Sequence, residues 1–130
     1  MADKKKIFIV DDDEIALTSL KKMLVFSGFE VEITQEAKEV FPKIKAFTPH
    51  LIILDLLMPN MGGLEVCQML NDDKETRGIP IFVVSGLNSP ADQKAAYRLG
   101  VINYFTKPYD FNKLLQEINK AIFSKENKIT

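Results

Sequence analysis

The chain alternates short apolar runs with longer segments of mixed polarity. Residues 7–10, 51–54 and 81–84 are apolar at every position, and a run of this kind predicts a strand that is buried on both faces. Residues 29–33 alternate apolar and polar positions, which predicts an edge strand with one solvated face. Residues 101–105 complete a set of five predicted strands.

Between the strands, apolar residues recur every three or four positions, the spacing of an amphipathic helix. Asp13 is suited to cap the first of these helices, and Gly28 and Gly100 are suited to end the first and the fourth. Residues 71–78 are polar and charged, which predicts a surface loop. The predicted helical segments are 16–24, 37–47, 64–70, 90–99 and 111–122.

This alternation predicts a doubly wound α/β fold, in which one domain contains a five-stranded parallel sheet with five helices on its two faces. The continuously apolar strands agree with it, because helices cover both sides of a parallel sheet. We expect the domain to span residues 5–123, with a short polar tail at residues 124–130.

Composition narrows the class of protein. Of 130 residues, 46% are apolar and 27% charged, the balance of an ordinary globular domain. The formal net charge of −1 gives no reason to expect nucleic acid or an anionic membrane as a partner. Cys67 is the only cysteine, so no internal disulfide can form and a reducing compartment is expected. No apolar stretch has membrane-spanning length, and we predict a cytoplasmic protein.

Polar residues follow four of the predicted strands at the point where each strand ends. They are Asp11 and Asp12 after the first strand, Asp55 after the third, Ser85 after the fourth and Lys107 after the fifth. The functional crevice of an open parallel sheet lies at the carboxyl ends of its strands. Taken singly, these residues have plainer explanations, such as an acidic helix start, a turn residue or a solvated lysine. Their coincidence at one edge favours a shared site.

The residue types at this edge suit one kind of chemistry. Three carboxylates repel each other unless a cation joins them, and Mg²⁺ fits a small open site of oxygen ligands that keeps waters. Lys107 would add a fixed positive charge and Ser85 a hydroxyl donor. Together these groups suit a phosphoryl group, which Asp55 would receive as the nucleophile to form an aspartyl phosphate.

The ordered set of strand-end motifs resembles a known family. Ile-Val-Asp-Asp-Asp follows the first strand, Leu-Asp-x-x-Met-Pro-x-Met-x-Gly the third, Ser-Gly the fourth and Lys-Pro the fifth. No single motif is decisive, but the set is similar to the receiver domain of bacterial two-component response regulators, of the kind found in the chemotaxis regulator. The resemblance covers about residues 5–123 and implies a flavodoxin-like strand order of 2-1-3-4-5.

The resemblance also implies roles at the acidic end of the site. Asp55 would accept a phosphoryl group from a sensor histidine kinase or a histidine phosphotransfer protein. Asp11, Asp12 and Asp55, with the main-chain carbonyl of Leu57, would hold Mg²⁺ or Mn²⁺. The chain would then be a signalling switch that is phosphorylated and dephosphorylated at its own site, and not an enzyme that turns over an external substrate.

Further implied roles concern how the phosphoryl group is sensed. Lys107 would pair with it, and the bond from Lys107 to Pro108 is typically cis in the family. Ser85 and Gly86 would bind it and move, and Tyr104 would swing inward behind them. This movement would change the surface of the fourth helix, fifth strand and fifth helix, where a downstream protein or output domain would bind and where Tyr97 and Tyr104 are the candidate aromatic residues.

Three departures from the common family pattern stand out. Gly62 replaces a frequent Asp outside the reacting groups, where we expect an effect on the loop and the helix cap only. Ser85 replaces the commoner Thr and keeps the hydroxyl. Leu57 and Leu87, two positions after Asp55 and Ser85, are both apolar where family members control the access of water. We hypothesise slow self-dephosphorylation.

Two other functions remain open on the sequence. A degenerate receiver would bind a partner without being phosphorylated, but all the expected site residues are present. A hydrolase of the aspartyl-phosphate type would need a second acid two residues after its nucleophile, and that position is Leu57. The chain could be a free-standing receiver or a piece of a larger regulator or hybrid kinase; its initiating Met1 and polar tail favour the first.

Overall fold

The computed structural model describes residues 3–58 and 62–127. Its five strands form one parallel sheet in the order second, first, third, fourth, fifth. This confirms the predicted fold class and strand order. The strands are β1 (Lys6–Val10), β2 (Glu30–Thr34), β3 (Leu51–Leu54), β4 (Ile81–Ser85) and β5 (Val101–Thr106).

Four helices connect the strands, and a fifth helix follows β5. Asp13 caps the first one, because its Oδ1 accepts hydrogen bonds from the backbone N–H groups of Ile15 (3.0 Å) and Ala16 (3.3 Å). Gly28 and Gly100 have φ values of +101° and +97° just after the first and fourth helices, a conformation that glycine adopts readily. The helices are α1 (Glu14–Phe26), α2 (Val40–Phe47), α3 (Gly63–Asp72), α4 (Pro90–Arg98) and α5 (Phe111–Asn127).

The apolar strands divide their side chains between two hydrophobic clusters, as the two-residue period of a strand requires. In β1, Phe8 and Val10 face one side of the sheet, while Ile7 and Ile9 face the other. Helices α2, α3 and α4 cover the first side, and α1 and α5 cover the second. All four residues of β3 are therefore buried, and the polar groups that follow the strands meet at the edge of the sheet.

The structure corrects the predicted carboxyl end of the chain. Helix α5 continues to Asn127, so residues 124–127 are helical and do not belong to a tail. Residues 124–127 include no Gly or Pro to end the helix. Residues 128–130 of the predicted tail, and 59–61 of the predicted loop after β3, lie outside the described residues.

Two other local predictions need correction. Residues 37–39 form a 3₁₀ turn before α2 begins at Val40, and Pro42 is tolerated in the first helical turn because no intrahelical bond uses its nitrogen there. The segment 71–78 is not wholly a surface loop, because Asn71 and Asp72 still belong to α3. Thr76 is also buried, and its hydroxyl donates a 2.6 Å hydrogen bond to the carbonyl of Leu70.

Within the described part of the chain, no helix is both long and apolar enough to cross a membrane.

Candidate functional site

The register of the parallel strands brings residues far apart in the chain to one edge of the sheet. Val10 pairs with Leu54 across β1 and β3, so the next residues, Asp11 and Asp55, emerge side by side. The backbone N–H of Asp55 donates to the Val10 carbonyl at 2.9 Å. Lys107 follows β5, and its backbone N–H donates to the Ser85 carbonyl at 2.8 Å. The strand-end residues predicted to share a crevice are therefore neighbours.

The Lys107 ammonium lies between two buried carboxylates. Its Nζ is 2.8 Å from Asp11 Oδ2 and 3.0 Å from Asp55 Oδ2, and each aspartate is only 6% exposed. The other oxygen of each carboxylate accepts a 2.9 Å backbone hydrogen bond, Asp11 from the N–H of Asp13 and Asp55 from the N–H of Leu57. Four charge-assisted hydrogen bonds, two from the Lys107 ammonium and two from backbone N–H groups, thus hold the two acids in place.

The electrostatics of this group follow from its burial. Burial raises the pKa of Asp11, the bond to Lys107 opposes that rise, and the nearby charge of Asp55 adds to it. For Lys107, burial acts to lower the pKa, but the hydrogen bonds to Asp11 and Asp55 outweigh it and the pKa is raised. Lys107 is therefore charged at neutral pH and is the cation that holds the two carboxylates together.

The acidic group fits a hard divalent cation. Carboxylate oxygens of Asp11, Asp12 and Asp55 all lie within 4.8 Å of one another. Asp11 and Asp55 are buried, whereas Asp12 is exposed and faces the solvent side. Mg²⁺ binds oxygen ligands, and at an open crevice it can keep several of its waters. The donor set found here thus matches the predicted metal.

A second set of contacts links Ser85 to β5. Ser85 is fully buried, and its Oγ accepts a 3.2 Å hydrogen bond from the backbone N–H of Leu87. The Tyr104 hydroxyl donates a 2.6 Å hydrogen bond to the Leu87 carbonyl. Burial raises the pKa of Tyr104, with smaller contributions from the charges of Asp92 and Asp55. Tyr104 therefore contacts the segment that leaves Ser85.

Three predicted residues remain: Pro108, Gly86 and Tyr97. The peptide bond from Lys107 to Pro108 is cis. Gly86 is exposed just after Ser85. Tyr97 is 47% exposed on α4, on the surface and not in the crevice. The structure thus joins Asp11, Asp55 and Lys107 directly and brings the Asp12 carboxylate within 4.8 Å of the other two acids. It relates Ser85 and Tyr104 to one another through Leu87.

Sequence reasoning missed the structural importance of Gly63. A Cβ on this residue would lie 2.2 Å from the Cα of Leu56 and 2.9 Å from the carbonyl oxygen of Asp55. The first residue of α3 therefore packs directly on the backbone that carries Asp55. The signal for this close approach was the glycine that ends the Leu-Asp-x-x-Met-Pro-x-Met-x-Gly motif, because a residue without a Cβ lets two backbones meet.

With this geometry in view, comparison with known proteins is decisive for the family. The family model of the response regulator receiver domain matches residues 7–119, and the chain belongs to this family. A response regulator named MprA from Mycolicibacterium vanbaalenii is 34% identical over 117 residues, which cover 90% of this chain and 50% of the relative. The chain spans about half the length of the curated relatives it matches.

Solved structures agree. A response regulator receiver domain protein (CheY-like) from Methanospirillum hungatei JF-1 has a TM-score of 0.89 at 32% identity, covering 97% of this chain and 99% of that one. The chemotaxis protein CheY4 of Vibrio cholerae shares the fold, with a TM-score of 0.85 at 24% identity over 92% of this chain and 99% of its own. Receiver domains of this family are signalling switches with an acidic Mg²⁺ pocket, and they do not process an external substrate.

Proposed function

We propose that this chain is a phosphorylation-activated switch that accepts a phosphoryl group on Asp55 from a phosphohistidine of a sensor histidine kinase or a histidine phosphotransfer protein. The observation that carries the proposal is the Asp55 carboxylate itself. It is buried just after the carboxyl end of β3. The Leu57 N–H orients it, and Lys107 pairs with it. A group that only capped a turn would not need an ammonium shared with a second buried acid.

The proposed transfer balances without a further reactant. A carboxylate oxygen of Asp55 attacks the phosphorus, a phosphorus–oxygen bond forms, and the phosphorus–nitrogen bond to the donor imidazole breaks. The imidazole leaves with the electron pair and takes up a proton from solvent water. The Leu57 N–H holds the second carboxylate oxygen and so orients the nucleophile. Lys107 is within reach to move from Asp55 to an oxygen of the incoming group.

Asp11, Asp12 and Asp55, together with the main-chain carbonyl of Leu57, are the residues proposed to hold Mg²⁺ or Mn²⁺. When bound, the ion supplies charge neutralisation at the phosphoryl oxygens. Asp11 and Asp12 take no part in bond making. Their role is to place negative charge where a divalent cation is needed, and Lys107 offsets that charge in its absence.

The signal is proposed to leave the site through the Ser85–Leu87 segment. Ser85 and Gly86 would turn toward the phosphoryl group, and the Leu87 carbonyl would carry the Tyr104 hydroxyl with it. The affected surface is formed by α4, β5 and α5, where Tyr97 is exposed. A downstream protein or an output domain is its proposed partner.

The single cysteine is a free, buried thiol, which is in keeping with the proposed location in the cytoplasm.

The test is the intact mass of the protein after incubation with acetyl phosphate and Mg²⁺. We expect one added phosphoryl group on the wild type, none without Mg²⁺ and none on Asp55→Asn. Asp73→Asn, which alters a carboxylate of the α3–β4 loop paired with Lys45, is the control and should gain the group normally. An adduct that survives in Asp55→Asn, or no adduct on the wild type with Mg²⁺ bound, would reject the proposal.

The lifetime of the phosphorylated protein should depend on Leu57 and Leu87. Leu57 is 50% exposed next to the Asp55 carboxylate, and Leu87 is half-buried on the segment after Ser85. An apolar side chain at these positions cannot orient a water for attack on the phosphoryl group. We expect Leu57→Asn and Leu87→Asn to shorten the half-life of the phosphorylated form several-fold, measured by intact mass after donor removal. Equal half-lives would contradict the hypothesis of slow self-dephosphorylation.

A further inference from the structure

A small cavity lies between the acidic group and the core. Its volume is about 20 Å³. Its lining includes the polar residues Asp11, Asp55, Lys107 and Tyr109, together with apolar residues of β1, β3, β4 and α1. A cavity needs about 10–15 Å³ and two to four polar partners to hold a water. This one therefore has room for a single water, and its lining includes polar groups that could bind it.

The hydrogen-bonding capacity of the charged groups is not used up by the protein. An ammonium has three N–H donors, and Lys107 directs two of them at Asp11 and Asp55. Each carboxylate oxygen has two lone pairs, and the bonds within residues 3–58 and 62–127 use one on each oxygen of Asp11 and Asp55. One donor and several acceptors therefore remain beside the cavity.

Tyr109 adds a further donor. Its ring packs against the hydrophobic cluster beneath α1 and α5, and its hydroxyl has no hydrogen-bond partner among the residues that the structure describes. Burial raises the pKa of this hydroxyl, the charge of Lys107 acts to lower it and that of Asp11 to raise it. Tyr109 lines the same cavity as Asp11, Asp55 and Lys107.

We propose that Tyr109 is a positioning residue that, through one water bound in this cavity, keeps the Lys107 ammonium between Asp11 and Asp55. The water accepts hydrogen bonds from the Tyr109 hydroxyl and from the third N–H of Lys107, and it donates to the free lone pairs of the two carboxylates. These four partners complete a tetrahedral arrangement. Its role in phosphorylation rests on the proposed function, in which Lys107 is the cation that meets the phosphoryl group.

A high-resolution crystal structure of the metal-free wild type tests the water directly. We expect an ordered water within hydrogen-bond distance of the Tyr109 hydroxyl and of at least one of the two carboxylates. In Tyr109→Phe, which keeps the ring and removes the hydroxyl, the water should be lost or weakly occupied. A dry cavity in the wild type, or an equally occupied water in the variant, would overturn the proposal.

The kinetic test compares two variants that each lose one hydroxyl. The rate of Asp55 phosphorylation by acetyl phosphate should fall about two- to tenfold in Tyr109→Phe, the effect of one lost hydrogen bond. Ser27→Ala, which removes a hydroxyl that donates to the Met23 carbonyl at the end of α1, should keep the wild-type rate. Urea unfolding of Tyr109→Phe should show a loss of no more than about 1 kcal/mol, because the ring packing is unchanged and one hydrogen bond is lost. An unchanged rate, or a loss of stability well beyond that of one hydrogen bond, would rule out positioning.

The two arms separate this proposal from the function on which it rests. If the wild type takes up no phosphoryl group but its crystal structure shows the Tyr109 water, the proposed function fails and the water site stands. If Asp55 is phosphorylated equally fast in the wild type and in Tyr109→Phe, the proposed function stands and the role of Tyr109 fails.

Discussion

Replacing Gly63 with alanine should lower the free energy of unfolding by about 3 kcal/mol or more, at the upper end of what an overpacked buried site costs. The added Cβ would lie 2.2 Å from the Cα of Leu56, 2.8 Å from the Leu56 oxygen and 2.9 Å from the Asp55 oxygen. All three are backbone atoms, so no side chain can turn away to make room. The Leu56 carbonyl also accepts the Gly63 N–H at 2.9 Å, which ties the two segments together.

The neighbouring glycine provides a matched control. A Cβ on Gly62 would find its nearest heavy atom, the Glu65 Oε1, at 3.6 Å, which is an ordinary contact. Because Gly62 is the N-cap of α3, Gly62→Ala should cost less than about 1 kcal/mol. Urea unfolding followed by far-UV circular dichroism measures both. Equal stability of the two variants would contradict the close packing of α3 on the Asp55 strand.

Replacing Lys107 with alanine should lower the free energy of unfolding by about 1–3 kcal/mol at pH 7. It leaves two carboxylates, each 6% exposed, side by side without the cation between them. Removing one partner from a fully buried ion pair costs about 3–5 kcal/mol. Lys107 is 26% exposed, so solvent screens part of the loss. Mg²⁺ should add more stability to this variant than to the wild type. The two carboxylates lack their lysine cation in the variant, and an ion that binds only the folded state stabilises that state.

The loss of stability in Lys107→Ala, called its deficit below, should also depend on pH. Burial and the charge of Asp55 already raise the pKa of Asp11 while Lys107 opposes them, so removing Lys107 raises it further. A carboxyl with a raised pKa in the folded state binds its proton more tightly there than in the unfolded chain, and the protonated form is favoured as pH falls. The deficit should therefore be smaller at pH 5 than at pH 7. A deficit that grows toward pH 5 would contradict repulsion between the two acids as its cause.

Lys45→Ala is the control for this experiment. Lys45 also contacts two carboxylates, with Nζ 3.0 Å from Asp73 Oδ2 and 3.5 Å from Glu75 Oε2. These groups lie at the surface, where ion pairs contribute little. We expect a much smaller change than in Lys107→Ala, without recovery by Mg²⁺. A loss as large as that of Lys107→Ala would show that lysine–carboxylate contacts matter here regardless of burial.

The sequence by itself determined the main strands and helices. It also determined which edge of the sheet carries the candidate site. Continuous apolar runs identified β1, β3 and β4 because only strands covered on both faces need apolar residues at every position. The carboxyl ends of parallel strands share one edge, so Asp11, Asp55, Ser85 and Lys107 could be grouped before their distances were known. The order of the strands came from the family resemblance, since periodicity alone does not choose among arrangements.

Only the tertiary structure decided the contacts within the site. Lys107 bonds to Asp11 and Asp55 over 96 and 52 positions of the chain, and no local pattern encodes a pairing at such separations. Local patterns also do not encode three other features: the close approach of Gly63 to Leu56, the buried hydroxyl of Thr76 and the cavity beside Tyr109. Each depends on how two elements pack, whereas the sequence pattern reports only which face of an element is apolar.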